Sequence, residues 1–450
     1  MSIQPGEHQR PPDGSKPREP GDPQAVSFIQ GSESIPPTGS YYVNDYPYSH
    51  PVEIDFICLG TILLLVALYQ IWQRVIAKKI RSPLLDKIHH KIGRARPLLV
   101  ALAFFLILEA VLAVAVRIHP SSRYRPDPVS LWRINVEYTP GPGEGFSGVN
   151  SQGLVNDELP LEKPAGVVRI FSLGDSRTLG GAGTIPSDTY PHLLERSLGP
   201  LHKDAEIQVI QGAQLGYTSF QGLLLFKNVG LKYHPDVVTV ALGYLDMALT
   251  WAPDKDHISE SYLLTLARGL LYKSNLFLLI RKNLLNITKY RRNNLNSNRE
   301  FNRVSLESFE ENITNLIALA RAEDMQVVLI ELPHNPYSFG PAKFRDLRYR
   351  EALRQIAARY ADSDDVFFLD VFEHFWAELG YDKSEHSGEF QSTGAIQRVS
   401  NYQQPEDIEK RNNRYFEDDC HMKPIGHRVV TEQLVDLFEE KKIIERAISQ

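Results

Sequence analysis

The sequence predicts an α/β protein built on a parallel five-stranded sheet with helices on both faces, in strand order 2-1-3-4-5. Three observations predict it. Five short apolar runs, Val167 to Leu173, Glu206 to Gln211, Val237 to Leu242, Met325 to Leu332 and Val366 to Leu369, are each bounded by turn or polar residues. Segments of helical periodicity fill the gaps, at Tyr190 to Leu198, Phe220 to Val229, Leu306 to Ala322, Phe344 to Tyr360 and Gly426 to Ala447, and such alternation argues for a parallel sheet covered twice. The third is Val167 to Gly183, VVRIFSLGDSRTLGGAG, where the apolar run stops at Gly174-Asp175-Ser176. A strand ending there holds one hydroxyl at the carboxyl edge of the sheet, where open α/β folds place their ligands. Ser176 is thus a candidate nucleophile, although Gly-Asp-Ser by itself is also an ordinary turn.

Taken in order, residues 1–52 are rich in proline, glycine, serine and acids and have almost no aliphatic run, so they read as a disordered tail. Residues 53–117 read as a two-helix membrane anchor. Phe56 to Trp72 is uncharged, and Pro97 to Val116 is of full spanning length with a single charge, Glu109. The segment between them carries eight Lys or Arg against one acid, which places it in the cytoplasm and the flanking tail and carboxyl-terminal domain outside. The expected location is therefore an inner (cytoplasmic) membrane, spanned twice, with a periplasmic or otherwise extracytoplasmic domain and the lipid bilayer as a partner. Glu109 inside lipid reads either as functional or as packed against the other helix or protonated. His89 and His90, in the basic loop, read as solvated.

Residues 118–164 are polar and turn-rich and read as a connector. The α/β domain follows at 165–450, interrupted by a helical insertion at about 250–303 whose aliphatics recur at helical spacing and whose end is basic. Two readings stand for the insertion: a cap meeting substrate or membrane, or a connecting helix pair with Arg281, Lys282, Arg291 and Arg292 solvated. Sequons occur at Asn286 and Asn312.

The net charge is −6 over 450 residues, which suggests no nucleic-acid partner. The two cysteines, Cys58 and Cys420, lie far apart, so a structural disulfide is not expected. Neither a zinc-type ligand spacing nor a phosphate loop is present, so no cofactor or metal is expected. A serine nucleophile needs a base, a group to orient that base, and donors for the oxyanion. Asp418 and His421, three residues apart in a loop leading into the last helix, can supply orienter and base from one local turn. Asp419 is an alternative acid and His427 an alternative base, although His427 reads as structural in the first turn of its helix. Cys420 as nucleophile, or a metal held by Asp418, Asp419 and His421, are weaker readings.

From about Val149 onward the chain resembles the SGNH (GDSL-type) hydrolase superfamily in its membrane-anchored bacterial form. The blocks are VNSQGL at 149–154, GDSRT at 174–178 with SDTYPHLLE after it, GAQLGYTSFQ at 212–221, HPDVVTVALGYLD at 234–246 and DDCHMKPIGH at 418–427. The resemblance implies a flavodoxin-like three-layer α/β/α fold and serine-dependent ester chemistry. It implies Ser176 as nucleophile, Asp418 and His421 as its partners, and the amides of Ser176 and Gly216 as oxyanion donors. Two departures stand out. The family's Gly-x-Asn-Asp block here reads Gly243-Tyr244-Leu245-Asp246, replacing the third oxyanion donor by leucine, and Gln211 stands where an asparagine is usual. Gln211, Gln214 and Tyr244 are candidate substitute donors, and Arg177 either faces an anionic substrate or pairs with a neighbouring acid. The expected function is an exported, membrane-tethered serine esterase or O-acyltransferase on ester groups, above all O-acetyl groups, of cell-envelope or secreted glycans, with envelope polysaccharide machinery as a further partner. The competing expectations are a weak or inactive glycan-binding or assembly subunit, and a lipid esterase.

Overall fold

The computed structural model describes residues 96–118, 124–136, 149–181, 184–250, 252–258, 261–281, 301–334, 348–379, 413–418 and 420–449, with isolated positions 67 and 71. Its strands are β1 (Tyr124–Asp127), β2 (Leu131–Ile134), β3 (Val167–Gly174), β4 (Glu206–Ala213), β5 (Val237–Ala241), β6 (Leu249–Thr250), β7 (Phe301–Asn302), β8 (Gln326–Glu331) and β9 (Val366–Asp370). Five of them pair in the order β4-β3-β5-β8-β9. The pairs are parallel throughout, which is the 2-1-3-4-5 order read from the sequence.

β3 and β5 are central and bury every residue, as their unbroken apolar runs require. Their side chains alternate between two cores. Phe171, Leu173, Val238 and Val240 face one, with Phe226 and Phe309 from the covering helices. Val168, Ile170, Val237 and Ala241 face the other, with Tyr190, Leu434 and Phe438. Each such side chain contributes roughly 1.5–3 kcal/mol by leaving water, so the two cores fix β3 at the centre of three layers. The strand that ends at Ser176 is thus held on both faces.

The helices Tyr190–Leu198 and Leu306–Ala322 coincide with the periodicity. Ser219–Asn228 opens on a capping box, in which Thr218 Oγ1 accepts from Gln221 N–H and the Gln221 side chain accepts from Thr218 N–H. The last predicted helix is two, Pro424–Lys441 and Ile443–Ser449. Lys442 between them is left-handed at φ 53°, and its N–H closes back on Glu439 and Phe438, which ends the first helix.

Three expectations need revision. The stretch 118–164 is more than a connector, because β1 and β2 form an antiparallel hairpin whose Trp132 is wholly buried in the core. Asn156 also bonds both Val209 O and Gln211 N–H at the edge of β4. Arg281 of the insertion is buried rather than solvated, while Lys282, Arg291 and Arg292 lie outside the described residues. Asn312 is buried and donates to Ser219 Oγ at 3.0 Å, so its side chain is not presented as a glycan acceptor; Asn286 lies outside the described residues. The insertion itself is stapled at its base, where β6 pairs with β7.

Among the described residues no single helix is long and apolar enough to cross a membrane. The helix Arg96–Ile118 contains the apolar run Ala101–Val114. The tail, the basic loop with His89 and His90, and Phe56 to Trp72 apart from positions 67 and 71 lie outside the described residues.

Candidate active site

β3 ends at Gly174, and the chain turns at once into the short helix Ser176–Leu179. A Cβ on Gly174 would lie 2.0 Å from Thr178 Oγ1, so only glycine allows so sharp a turn. Asp175 caps it, accepting from Arg177 N–H at 2.8 Å. The Arg177 guanidinium folds back on the same carboxylate, Nη2 to Oδ2 at 3.0 Å, with both side chains buried. Burial opposes that cation, but Asp175 outweighs it and holds the guanidinium pKa above its ordinary range. Arg177 therefore pairs with the neighbouring acid and rests 4.6 Å over the Tyr244 ring, and it is not presented to an anionic substrate.

The base comes from the far end of the chain. A bridge between Phe416 and Met422 closes a loop whose apex is shaped by one carboxylate, Asp418 Oδ1 accepting from the N–H groups of Cys420 at 2.9 Å and His421 at 2.8 Å. Its other oxygen lies 2.6 Å from His421 Nδ1, and His421 Nε2 lies 2.9 Å from Ser176 Oγ. That geometry fixes the tautomer: Nδ1 donates to Asp418, and Nε2 is left to accept from the hydroxyl. His421 is fully buried, which disfavours its cation, yet the neighbouring Cys420 and the Asp418 carboxylate raise its pKa well above 6.5. Burial pushes Asp418 up, but the His421 charge and the hydrogen bonds win and hold it at about 2. The loop packs on Gly181 after the nucleophile, where a Cβ would lie 2.7 Å from His421 Cβ. Glu417 beside it is pushed up to about 7 by burial, against the neighbouring His421 charge.

The other sequence-predicted candidates fall elsewhere. His427 is buried, accepts from Tyr190 N–H at 3.3 Å and is driven down to about 3 by burial and by His421, so it is neutral and structural. Asp419 lies outside the described residues. Cys420 Sγ lies 3.8 Å from His421 Nδ1, and the ligand-type atoms of Asp418, Cys420 and His421 all fall within 4.8 Å. The carboxylate and imidazole of that group are already committed to each other and to Ser176. Gln211 donates to Thr178 O at 3.0 Å, and Gln214 donates to Gly153 O and accepts from Ile134 N–H. The two N–H groups of Gln211 are thus engaged, the second on Thr189 Oγ1 at 3.4 Å, and one N–H of Gln214 is held by Gly153 O. Tyr244 packs its ring between Arg177 and His334. Leu245 is 1% exposed and belongs to the core on the Phe171 side.

Gly216 sits at φ +76°, in a loop gripped from both sides. Trp132 of the β1–β2 hairpin donates to Leu215 O at 3.1 Å, and Arg303 donates to Gly216 O at 2.7 Å. Arg303 is 1% exposed; it pairs with buried Asp254, donates to Gln221 Oε1 and lies over the Trp132 ring. Asp254 in turn accepts from Thr218 Oγ1. Next to it, Asp246 accepts from Ser219 N–H and hydroxyl and is pushed up to about 7 by burial. Among the described residues, in the turns and loops, neither the Ser176 nor the Gly216 main-chain N–H donates to another main-chain group. Sequence reasoning did not single out Arg303, Asp254 or Trp132. Their partners stand 49 and more than 80 positions away, a pairing that linear spacing does not reveal.

A serine at a sheet edge, its hydroxyl on a histidine that is oriented by an aspartate, defines the serine-hydrolase class of site. The chain belongs to the GDSL-like lipase/acylhydrolase family, whose family model matches residues 172–429. No curated protein matches. Similar solved structures include the acetyl xylan esterase AlAXEase, at 14% identity and TM-score 0.36 over 60% of this chain and 99% of that one. A lipase/acylhydrolase from Enterococcus faecalis follows at 15% identity and TM-score 0.35, over 61% and 97%. A catalytic mutant of Axe2, an acetylxylan esterase from Geobacillus stearothermophilus, gives 14% identity and TM-score 0.35 over 61% and 95%.

Proposed function

We propose that the protein is a serine esterase or O-acyltransferase that cleaves short-chain O-acyl esters, O-acetyl above all, on cell-envelope or secreted glycans. One observation carries the chemistry: the unbroken line from Asp418 through His421 to Ser176 Oγ, at 2.6 and 2.9 Å. His421 Nε2 takes the hydroxyl proton as Ser176 Oγ attacks the ester carbonyl. The Ser176 and Gly216 N–H groups receive the oxyanion. The intermediate then collapses, His421 returns the proton to the departing sugar oxygen, and an acyl-serine remains. Water attacking by the reverse path gives hydrolysis, and a second sugar hydroxyl gives transfer. Ser176 is only 3% exposed, which supports a small acyl group over a fatty one.

The same reading includes the setting. The apolar segments Phe56 to Trp72 and Pro97 to Val116, with eight basic residues between them, support a two-pass tether with the esterase domain outside the cytoplasm. That location supports envelope glycans, and the machinery that builds them, as partners.

The test is hydrolysis of a short-chain aryl ester by the purified full chain beside Ser176→Ala. The variant should lose roughly 10³-fold or more in kcat. Equal rates would overturn the enzyme reading. Adding an acetylated donor and an oligosaccharide acceptor then separates transfer from hydrolysis.

A further inference from the structure

The insertion is built inside out. In the helix Tyr262–Leu271 the residues Leu263, Leu266 and Leu270, spaced i, i+3, i+7 along one face, are 73%, 50% and 61% exposed. The charged residue of the same helix, Arg268, is turned inward at 4% exposure, donating to His257 O and to the Tyr272 hydroxyl. Arg281 at the end of the next helical turns is likewise buried, 5.4 Å over the Tyr272 ring. In water this arrangement is unfavourable twice, leaving leucines wet and desolvating two cations. Facing hydrocarbon it is the expected pattern, because polar side chains there turn toward the protein interior.

A second observation joins the leucine-bearing element to the apolar helix before it. The helix Arg96–Ile118 touches the insertion through Glu109, which accepts from the Ser274 hydroxyl and from the N–H groups of Asn275 at 2.8 Å and Leu276 at 3.1 Å. The positions of that helix spaced like Glu109, namely Ala101, Phe105, Leu108, Leu112 and Ala113, are half-buried, while Leu102, Phe104, Leu106, Ile107, Val111 and Val114 are exposed. Among the described residues, this helix and residues 262–281 supply ten of the seventeen exposed large hydrophobic side chains. Glu109, the sole charge within Pro97 to Val116, is thus spent on joining one apolar element to the other.

We infer that the insertion is a second membrane-embedded element: its leucine face lies in the same lipid as the helix Arg96–Ile118, locked there by Glu109. The inference rests on the tether reading above. The leucine-bearing element is joined to the proposed span through Glu109, and its two arginines, Arg268 and Arg281, are internal, while Lys273 is exposed at the turn between its helical segments. The esterase domain is therefore held against the bilayer at two points rather than on a free stalk.

The experiment places an environment-sensitive fluorophore on single introduced cysteines in the full chain carrying Cys58→Ser and Cys420→Ser, reconstituted in phosphatidylcholine vesicles with a nitroxide on the acyl chain. Leu266→Cys and Phe104→Cys should both lose emission to the acyl-chain quencher, and Glu440→Cys on the exposed outer helix should not. Loss at Phe104→Cys without loss at Leu266→Cys would overturn the inference and leave the tether standing. Loss at neither would overturn the tether reading as well. Energy transfer between copies at Leu266→Cys without lipid quenching would assign the face to a second copy of the chain and overturn the lipid assignment. Glu109→Leu should lower quenching at Leu266→Cys while keeping it at Phe104→Cys, and equal quenching in that variant would overturn the locking role.

Discussion

At the scale of single residues, the protonation of His421 sets when the site works. A raised imidazole pKa leaves the base protonated and idle at lower pH, so kcat/KM for an aryl ester should rise with pH and reach half-maximum above 6.5. A half-maximum at or below 6.5 would contradict the charge balance around the ring. The same groups bear on stability with opposite signs. His421, raised on folding, contributes stability present below about 6.5 that is lost as pH climbs through its folded value. Asp418, held at about 2 against an ordinary 3.8, contributes stability present above 3.8 and lost as pH falls toward 2. In the proposed reading Leu245 stands where the resembling family carries a third oxyanion donor, a group whose loss typically costs on the order of 10²–10³ in turnover. Its side chain belongs to the core, so Leu245→Asn should lower Tm, by burying an amide at a cost of about 1–3 kcal/mol, without raising kcat. A gain in kcat would show that an asparagine there reaches the oxyanion.

Among the elements, the loop holding Gly216 depends on parts distant in sequence. Arg303, at the closing end of the insertion, grips its carbonyl, and the β1–β2 hairpin grips the neighbouring one. Arg303→Lys keeps the charge but gives up the planar fork that reaches Gly216, Gln221 and Asp254 together. It should lower kcat by roughly tenfold or more with KM nearly unchanged, since a displaced N–H weakens transition-state binding chiefly. A change confined to KM would remove Arg303 from positioning the loop. This is also where the sequence was least legible. The five strands, their order and the helices over them could be read because each is a local run with its own period, and Ser176, Asp418 and His421 because each sits in a compact block. The hairpin was hidden in a polar, turn-rich stretch, and Trp132 and Arg303 owe their roles to contacts that close only after the sheet has formed.

For the whole molecule, orientation is the open consequence of the charge pattern. A phosphatase fused after residue 130 should be active in cells that export it, and an inactive fusion would overturn the extracytoplasmic assignment. Sequence reasoning leaves the insertion with two readings, because helical spacing reports that a stripe exists and says nothing of the solvent it meets. The buried Arg268 and Arg281 carry that information, and only the fold shows them.

Ser176 and His421 meet across 245 positions of chain. During synthesis the hydroxyl therefore emerges long before the ring that activates it, and nearly every strand and helix of the sheet must be made in between. In the proposed setting, a nascent chain passing through the membrane carries a complete sheet edge but no working base. Hydrolytic competence is thereby delayed until the histidine loop docks on Gly181, on the side of the membrane where the finished domain comes to rest.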